Sequence, residues 1–369
     1  MAWCAAAKTC RRRDEFALSH PSTYRMSGDM LRTHAQEGEL LDAALGGDER
    51  AYQQLVEPYR RELHAQCYRM LGSPHDADDA VQDALLRAWR GLAGFAQRSS
   101  VRTWLHKITA NVCLAMLEKR PRQALPVDYG PPADPDGADW AVADSWVQPY
   151  PDRRLGPEPG LAAPAARYEQ RESVELAFMA ACQHLVPRQR AVLLLRDVLG
   201  FSAKEVANLL DTTVASVTSA LQRARTTVRE RLPEQSQQAN LRSLGDARVR
   251  RLVESYVEAW ERADLDAILA MLADDATFTM PPHLTWFRGR DAIARFIPQG
   301  PFTERWRLVP ARANGQLAFG CYAWRDEAGA YVGNSIDLLT VRDGKIAQIT
   351  AFLTPEILPA FGLPTQLQD

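Results

Sequence analysis

Ten prolines fall among the 51 residues from 121 to 171 of this 369-residue chain, and no helix or central strand of ordinary length can run through them. The stretch also holds eight acidic residues against five arginines, a local charge of −3. It reads as a linker, so the chain must fold in separate bodies before and after it. At this length two or three domains with sizeable cores are expected. Trp140, Trp146 and Tyr150 lie within the linker, and its composition leaves open whether they dock on a neighbour or lie in coil.

The formal net charge is only −2, so contact with nucleic acid has to come from local basic patches. The six cysteines (Cys4, Cys10, Cys67, Cys113, Cys182 and Cys321) are scattered, with no CxxC pair and no histidine at ligand spacing. They read as reduced thiols of a cytoplasmic protein, and neither a metal nor a cofactor is expected. No apolar run approaches the roughly 18 residues of a membrane span, so no membrane contact is expected. The N-terminal MAWCAAAKTCRRRDEF places its charge after a short apolar stretch, the reverse of a secretory signal. Residues 1–37 are expected to form a disordered tail, with Met26 and Met30 as alternative starts, because apolar periodicity begins only at Leu40.

From Glu39 to Leu71 apolar residues return at helical spacing with a break at Gly46-Gly47, which predicts two helices. Gly72-Ser73-Pro74 ends the second and leads into DADDAVQDALLRAWR, residues 76–90. Asp76, Asp78 and Asp79 suit the unpaired amides and positive dipole end of a helix N-terminus, so a helix is predicted to start near Asp76. Val81, Leu85, Ala88, Trp89 and Leu92 make its apolar face, and Gln82, Asp83, Arg87 and Arg90 lie opposite. Asp83 and Arg87 are an acid-before-base pair, which on an ordinary solvated face stabilises a helix by roughly 0.3 kcal/mol. In VRTWLHKITANVCLAMLEKR, residues 101–120, Trp104, Leu105, Ile108, Val112 and Ala115 share one side, Lys107 and Asn111 another, and positive charge gathers at the end.

The segment 76–90 resembles the polymerase-binding helix of sigma-70 factors, usually written DAEDLVQETFLRAWR. The resemblance implies that Asp79, Gln82, Asp83, Arg87 and Arg90 face core RNA polymerase. In that family the next segment melts and reads the minus-10 promoter element, and a basic strip beside aromatics suits unstacked bases. The residues so implied are Arg98, Arg102, Lys107, Asn111, Lys119, Arg120 and Arg122. The family often has an acid four residues after the asparagine, where this chain has Ala115, and base-level assignment stays open.

A second helical pattern spans Glu172 to Leu232. Val174, Ala177, Phe178, Ala181 and Leu185 make one amphipathic helix, and Pro187 opens the next, which Gly200 closes. Then FSAKEVANLLDTTVASVTSALQRARTTVRERL has a helix-turn-helix layout: Ser202 caps a helix through Leu210, Asp211 and Thr212 turn, and Thr213 caps a longer helix. Val206, Leu209 and Leu210 are expected to pack against Val214, Val217 and Leu221, leaving Ala215, Ser216, Thr218, Ser219 and Gln222 exposed for base edges. Lys204, Arg223 and Arg225 can neutralise phosphate. Residues 183–232 carry eight Lys/Arg against four Asp/Glu, which suits salt-dependent backbone binding. LVPRQRAVLLLRDVLGFSAKEVANLLDTTVASVTSALQRAR resembles region 4 of extracytoplasmic-function sigma factors, the minus-35 reader.

From Asp246 the pattern changes. Leu252, Val253, Tyr256, Val257 and Trp260 line a helix, Leu265 to Leu272 form a second, and ATFTMPP alternates as a strand with Ala276, Phe278 and Met280 inward. GRDAIARFI is another short helix, and turns are marked at Asn314-Gly315, Asp326 to Gly329 and Asp343-Gly344. Helices followed by a curled antiparallel sheet predict an α+β cone. YVEAWERADLDAILAMLADDATFTMPP and WFRGRDAIARFI resemble SnoaL-like domains, a fold that often encloses an apolar pocket and includes isomerases. The residues considered for a ligand pocket are Tyr256, Trp260, Phe278, Met280, Trp286, Phe287, Trp324 and Asp337, although an aromatic stripe is more often plain core. A catalyst of this fold would need a buried carboxylate base, for which Asp275 and Asp337 are available.

The expected architecture is therefore multidomain: two all-α sigma regions at 38–120 and 172–233, joined by the linker at 121–171 and followed by an α+β cone at 246–369. The expected function is a sigma factor that is not itself an enzyme. Its partners would be core RNA polymerase and the minus-10 and minus-35 promoter elements, with a regulatory C-terminal domain open to a small ligand. The rivals are a helix-turn-helix regulator acting without polymerase, and a small-molecule isomerase or ligand-binding protein.

Overall fold

The computed structural model describes residues 28–97, 99–119, 123–155 and 171–368, with side chains from residue 36 onward. Helix α1 (Gly28–Leu45) starts inside the segment expected to be a tail, and residues 1–27 lie outside the described ones. After the Gly46-Gly47 break, Asp48 accepts hydrogen bonds from the N–H groups of Arg50 and Ala51 and starts α2 (Glu49–Val56). One of the two predicted helices is thus split. Pro58, which has no N–H to donate, falls in a 3-10 turn over Glu57–Tyr59, and α3 (Arg60–Leu71) follows.

Gly72 closes α3 with a φ of 76°, and Ser73 caps α4 (Pro74–Gly91) through a bond from the Asp76 N–H to its hydroxyl, 3.2 Å. The start lies earlier than the acidic residues alone indicate, because a capping serine followed by proline sets it. Ser100 likewise caps α5 (Val101–Leu117). Leu55, Leu63, Tyr68, Leu85, Ala88 and Leu105 form the buried seam of this bundle.

The second helical unit holds α6 (Leu176–Gln183), α7 (Pro187–Leu193) with a widened turn over Leu194–Val198, α8 (Ala203–Leu209) and α9 (Val214–Arg229). Ser202 and Glu205 cap α8 reciprocally, and Thr213 caps α9, as the sequence predicts. Val206, Leu209, Leu210, Val217 and Leu221 are buried. Val214 is not: it opens α9 at its solvent end and is 46 % exposed.

Three helices lead into the sheet: α10 (Gln237–Leu244), α11 (Asp246–Glu261) and α12 (Leu265–Met271). The strands are β1 (Leu272–Thr279), β2 (Trp286–Arg288), β3 (Trp306–Ala313), β4 (Gln316–Arg325), β5 (Ala330–Arg342), β6 (Lys345–Phe352) and β7 (Gln366–Leu367), with α13 (Arg290–Gln299) after β2. Their order is β2-β1-β6-β5-β4-β3, with β7 beside β5. The sheet is mixed rather than antiparallel, because β1 runs parallel to β6 with Phe278 opposite Ile349. A parallel neighbour needs a long crossover, and the intervening chain through α13 supplies it.

The period-2 alternation of these strands divides the core. Phe319, Leu339, Ile346 and Ile349 face α11, α12 and α13. Ala318, Tyr322, Ile336, Leu338 and Phe352 instead join one continuous cluster with the two helical units.

The linker docks. Tyr150 is fully buried with its ring 4.3 Å from that of Tyr68, and Trp140, though 46 % exposed, lays its ring against His283, Phe287 and Phe296. Arg154 donates to Asp78 on α4 at 3.0 Å and lies 2.8 Å from His64 on α3. Among the described residues, no helix is long and apolar enough to cross a membrane.

Candidate partner and nucleic-acid interface

On α4 the apolar stripe turns inward, which leaves Asp79, Gln82, Arg87 and Arg90 exposed and Asp83 half-buried. Asp83 and Arg87 pair at 2.8–2.9 Å. Both side chains are about half exposed, so the pair orders the face more than it stabilises the fold. Leu86, absent from the sequence-based set, is 47 % exposed on the same helix. Its sequence signal is that it falls off the apolar stripe while its neighbour Leu85 stays on it.

The set on α5 divides. Asn111 and Lys119 are exposed, whereas Arg98, Arg120 and Arg122 lie outside the described residues. Arg102 is engaged within the molecule: its guanidinium binds both carboxylate oxygens of Glu62 on α3 and lies 5.0 Å over the ring of Phe201. His106, fully buried, meets the same ring edge-on at 5.3 Å. Burial alone would raise the Glu62 carboxyl, but hydrogen bonds from His106 and Arg102 overcome it and hold its pKa at about 2. Lys107 donates to the Asn208 carbonyl at 3.0 Å and to Asp211 at 2.7 Å, both at the turn between α8 and α9. Two of the residues implied to face DNA therefore hold the two helical units together, and sequence reasoning missed their partners Glu62, Phe201 and Asp211.

On α9, Ala215, Ser216, Thr218, Ser219, Gln222 and Arg223 are exposed, as is Lys204 on α8. Arg225 is held by both oxygens of Asp197, at 2.8 and 2.6 Å. Its position on α9 points it at the widened turn after α7, which carries that acid, so its fork is already occupied.

In the cone, Tyr256, Trp260, Phe278, Met280 and Phe287 belong to one buried cluster. Trp286 and Trp324 do not. Trp286 alternates with inward Phe287 and donates to the Gly130 carbonyl of the linker at 3.0 Å. Trp324 shares the outward alternation of Ala318 and Tyr322, under Arg305 at 4.6 Å. Asp275 is exposed and paired with Arg342. Asp337 is buried against Tyr256 and Cys321, accepts from the Ser335 hydroxyl at 2.7 Å, and is pushed by burial to a pKa of about 6. His75, Asp76 and Asp79 bring three possible metal-ligand atoms within 4.8 Å of one another at the exposed start of α4, where nothing in the packing calls for an ion.

A helical unit presenting an open polar helix, a helix-turn-helix with its second helix exposed, and an α+β cone behind them define a transcription factor of sigma-70 type. Residues 55–123 match Sigma-70 region 2, residues 175–228 match Sigma-70 region 4, and residues 253–349 match the SnoaL-like domain. The chain is 41 % identical over 317 residues to the ECF RNA polymerase sigma factor SigG of Mycobacterium tuberculosis, covering 85 % of this chain and 84 % of that one. It is 32 % identical over 194 residues to SigM of the same organism, covering 53 % and 83 %. The crystal structure of SigJ, also from M. tuberculosis, superposes with a TM-score of 0.53 at 26 % identity, over 85 % of this chain and 99 % of that one. The chain belongs to the extracytoplasmic-function (ECF) RNA polymerase sigma factors.

Proposed function

We propose that the protein binds core RNA polymerase and carries it to promoters, acting in the cytoplasm and catalysing nothing itself. Residues 38–120 would form the polymerase-docking and minus-10-reading unit, and residues 172–233 the minus-35-reading unit. The single observation that carries this reading is the open polar face of α4, with Gln82, Asp83, Arg87 and Arg90 directed to solvent beside Leu86, on a helix otherwise packed into its bundle. Asn111 and Lys119 on α5 would meet the minus-10 element. On α9, Ala215, Ser216, Thr218, Ser219 and Gln222 would approach bases in the minus-35 major groove, with Lys204 and Arg223 on phosphates. Residues 246–369 would regulate these steps through the sheet face that packs on the helical units.

The test is run-off transcription with purified core polymerase. Replacing Asp83 and Arg87 together by alanine is expected to abolish specific start sites without unfolding the protein. Specific initiation that persists in this variant refutes the docking assignment, and DNA footprints that need no polymerase favour a simple helix-turn-helix regulator.

One observation favours a second role for the cone. The Tyr256 hydroxyl is fully buried beside Trp260 and near the raised carboxyl of Asp337. A small neutral ligand with a hydrogen-bond acceptor would take the Tyr256 hydroxyl as its donor.

A further inference from the structure

Helix α9 spends its polar groups unevenly, and what it leaves over forms a pattern. Val214, Thr218, Gln222 and Thr226 recur every four residues, so they make one row along its exposed side. Val214 heads the row, 46 % exposed and part of neither buried cluster. The Thr218 hydroxyl donates to the Val214 carbonyl at 2.9 Å, and the Thr226 hydroxyl donates to the Gln222 carbonyl at 3.1 Å. Each threonine has given its proton to the helix backbone, so it offers a methyl group and an oxygen that can only accept. The side-chain amide of Gln222 is exposed, with donor and acceptor both uncommitted among the described residues. Ser216, beside the row, is the complement of Thr218: its oxygen accepts from the Thr213 hydroxyl at 3.0 Å, which leaves its own proton to donate.

A second observation concerns charge. A solvated helix face is ordinarily built from Lys, Glu and Arg, yet the nine residues from Val214 to Gln222 carry no charged side chain. Charge returns only at the margins, with Lys204 on α8 and Arg223 and Arg229 further along α9, all exposed. An uncharged centre of methyl groups and an amide, flanked by cations, fits base edges on the floor of a major groove with phosphates on its walls.

The chemistry of that floor names the bases. Adenine presents an acceptor at N7 and a donor at N6, which a glutamine amide meets with both of its groups. Guanine presents two acceptors and would leave the amide oxygen unpaired. Thymine is the one standard base with a methyl group in that groove. Successive members of the row stand about 6 Å apart along the helix, against a base step of about 3.4 Å, so they meet different base pairs.

We propose that α9 reads a minus-35 element in which Gln222 holds an adenine through its N6 and N7, while the methyl groups of Val214 and Thr218 pack on thymine methyls. Val214 is then a specificity residue rather than a core residue left in solvent. This rests on the minus-35 reading above and adds the base selected at each point of the row.

The experiment selects duplexes from a pool randomised across the promoter region, using the full chain assembled with core polymerase, and reads base frequencies in the bound fraction. Wild type is expected to enrich an adenine, with thymine close by, within one minus-35 element. Gln222→Arg should replace that adenine by guanine, because a guanidinium donates to both O6 and N7. Val214→Ala should flatten a thymine position and leave the adenine in place. On the selected duplex, uracil at that thymine position removes only the methyl group. It should weaken wild-type binding roughly 3-fold, the worth of one buried methyl, and weaken Val214→Ala no further. Val214 is exposed, so its alanine variant should unfold at the same urea concentration as wild type.

An adenine preference that survives Gln222→Arg overturns the proposal, as does uracil that costs Val214→Ala as much as wild type; in both cases the minus-35 reading stands. A holoenzyme that enriches no minus-35 sequence refutes that reading, and the proposal with it.

Discussion

Helices α4 and α5 are neighbours in one bundle, yet they treat their polar faces in opposite ways. The face of α4 is left to solvent, its Asp83–Arg87 pair satisfied locally at 2.9 Å. On α5, Arg102 and Lys107 are drawn into contacts with Glu62, Phe201 and Asp211. Charge pattern does not produce this difference, since both faces are mixed and polar. Position produces it: α5 packs against α7 and α8 of the second unit, and α4 faces away. A site that must capture a large partner from solution gains from being open. Basic groups already paired within the chain are screened from non-specific contact with nucleic acid.

The contrast breaks most sharply at Glu62. Its carboxylate has a folded pKa of about 2, against 4.5 for the free group, so it stabilises the folded state fully above about pH 4.5 and loses that contribution as pH falls towards 2. Glu62→Gln leaves Arg102 and buried His106 without their charged partner. We expect a loss of about 2–3 kcal/mol at pH 7 in urea unfolding, shrinking as wild type and variant are compared below pH 4. A loss that is independent of pH would mean that packing, not charge, fixes Arg102.

Asp337 carries the opposite shift and tests the same principle in the cone. Burial raises its pKa to about 6 from 3.8, with Ser335 as its only hydroxyl partner among the described contacts. The folded state is therefore penalised once pH rises through this range, and stability should increase as pH falls from 7 towards 4. Asp337→Asn is expected to stabilise the cone by about 1–2 kcal/mol at pH 7 and by little at pH 4, read from thermal unfolding at the two pH values. An unchanged or lower melting temperature at pH 7 would show that the ionised carboxylate has a partner in solution.

Local rules made most elements legible. Ser202 and Thr213 each start a helix in sequence and in structure, Ser73 sets the start of α4 earlier than its acidic residues indicate, and the apolar stripe of α4 matches its buried face. What stayed hidden depends on contacts between residues far apart in the chain. Nothing in Asn314-Gly315 separates a solvent turn from a buried one, because the same left-handed geometry serves both. Arg225 and Arg223 look equivalent until Asp197 is placed beside one of them. Trp286 and Trp324 entered the pocket set on hydrophobicity alone, although alternation along their strands puts both on the outer side. The proline-rich linker hid the most, since its composition records the absence of regular structure and not the presence of a docking surface.

Arg223 and Arg225 repeat the open-against-covered contrast within two residues of α9, and they give the smallest and cleanest test of it. Arg225 forms a two-pronged pair with Asp197, whose side chain is only 12 % exposed, so Arg225→Ala should lower unfolding stability by about 1 kcal/mol and leave promoter affinity changed mainly through that loss. Arg223 is exposed on the same helix, and Arg223→Ala should leave stability within about 0.5 kcal/mol of wild type. Its effect belongs to binding: holoenzyme affinity for promoter DNA should fall a few-fold, with the slope of log affinity against log salt reduced by about 1. If Arg225→Ala instead reduces the salt slope while Arg223→Ala does not, the Asp197 pair opens on DNA, and the covered arginine is the one that meets phosphate.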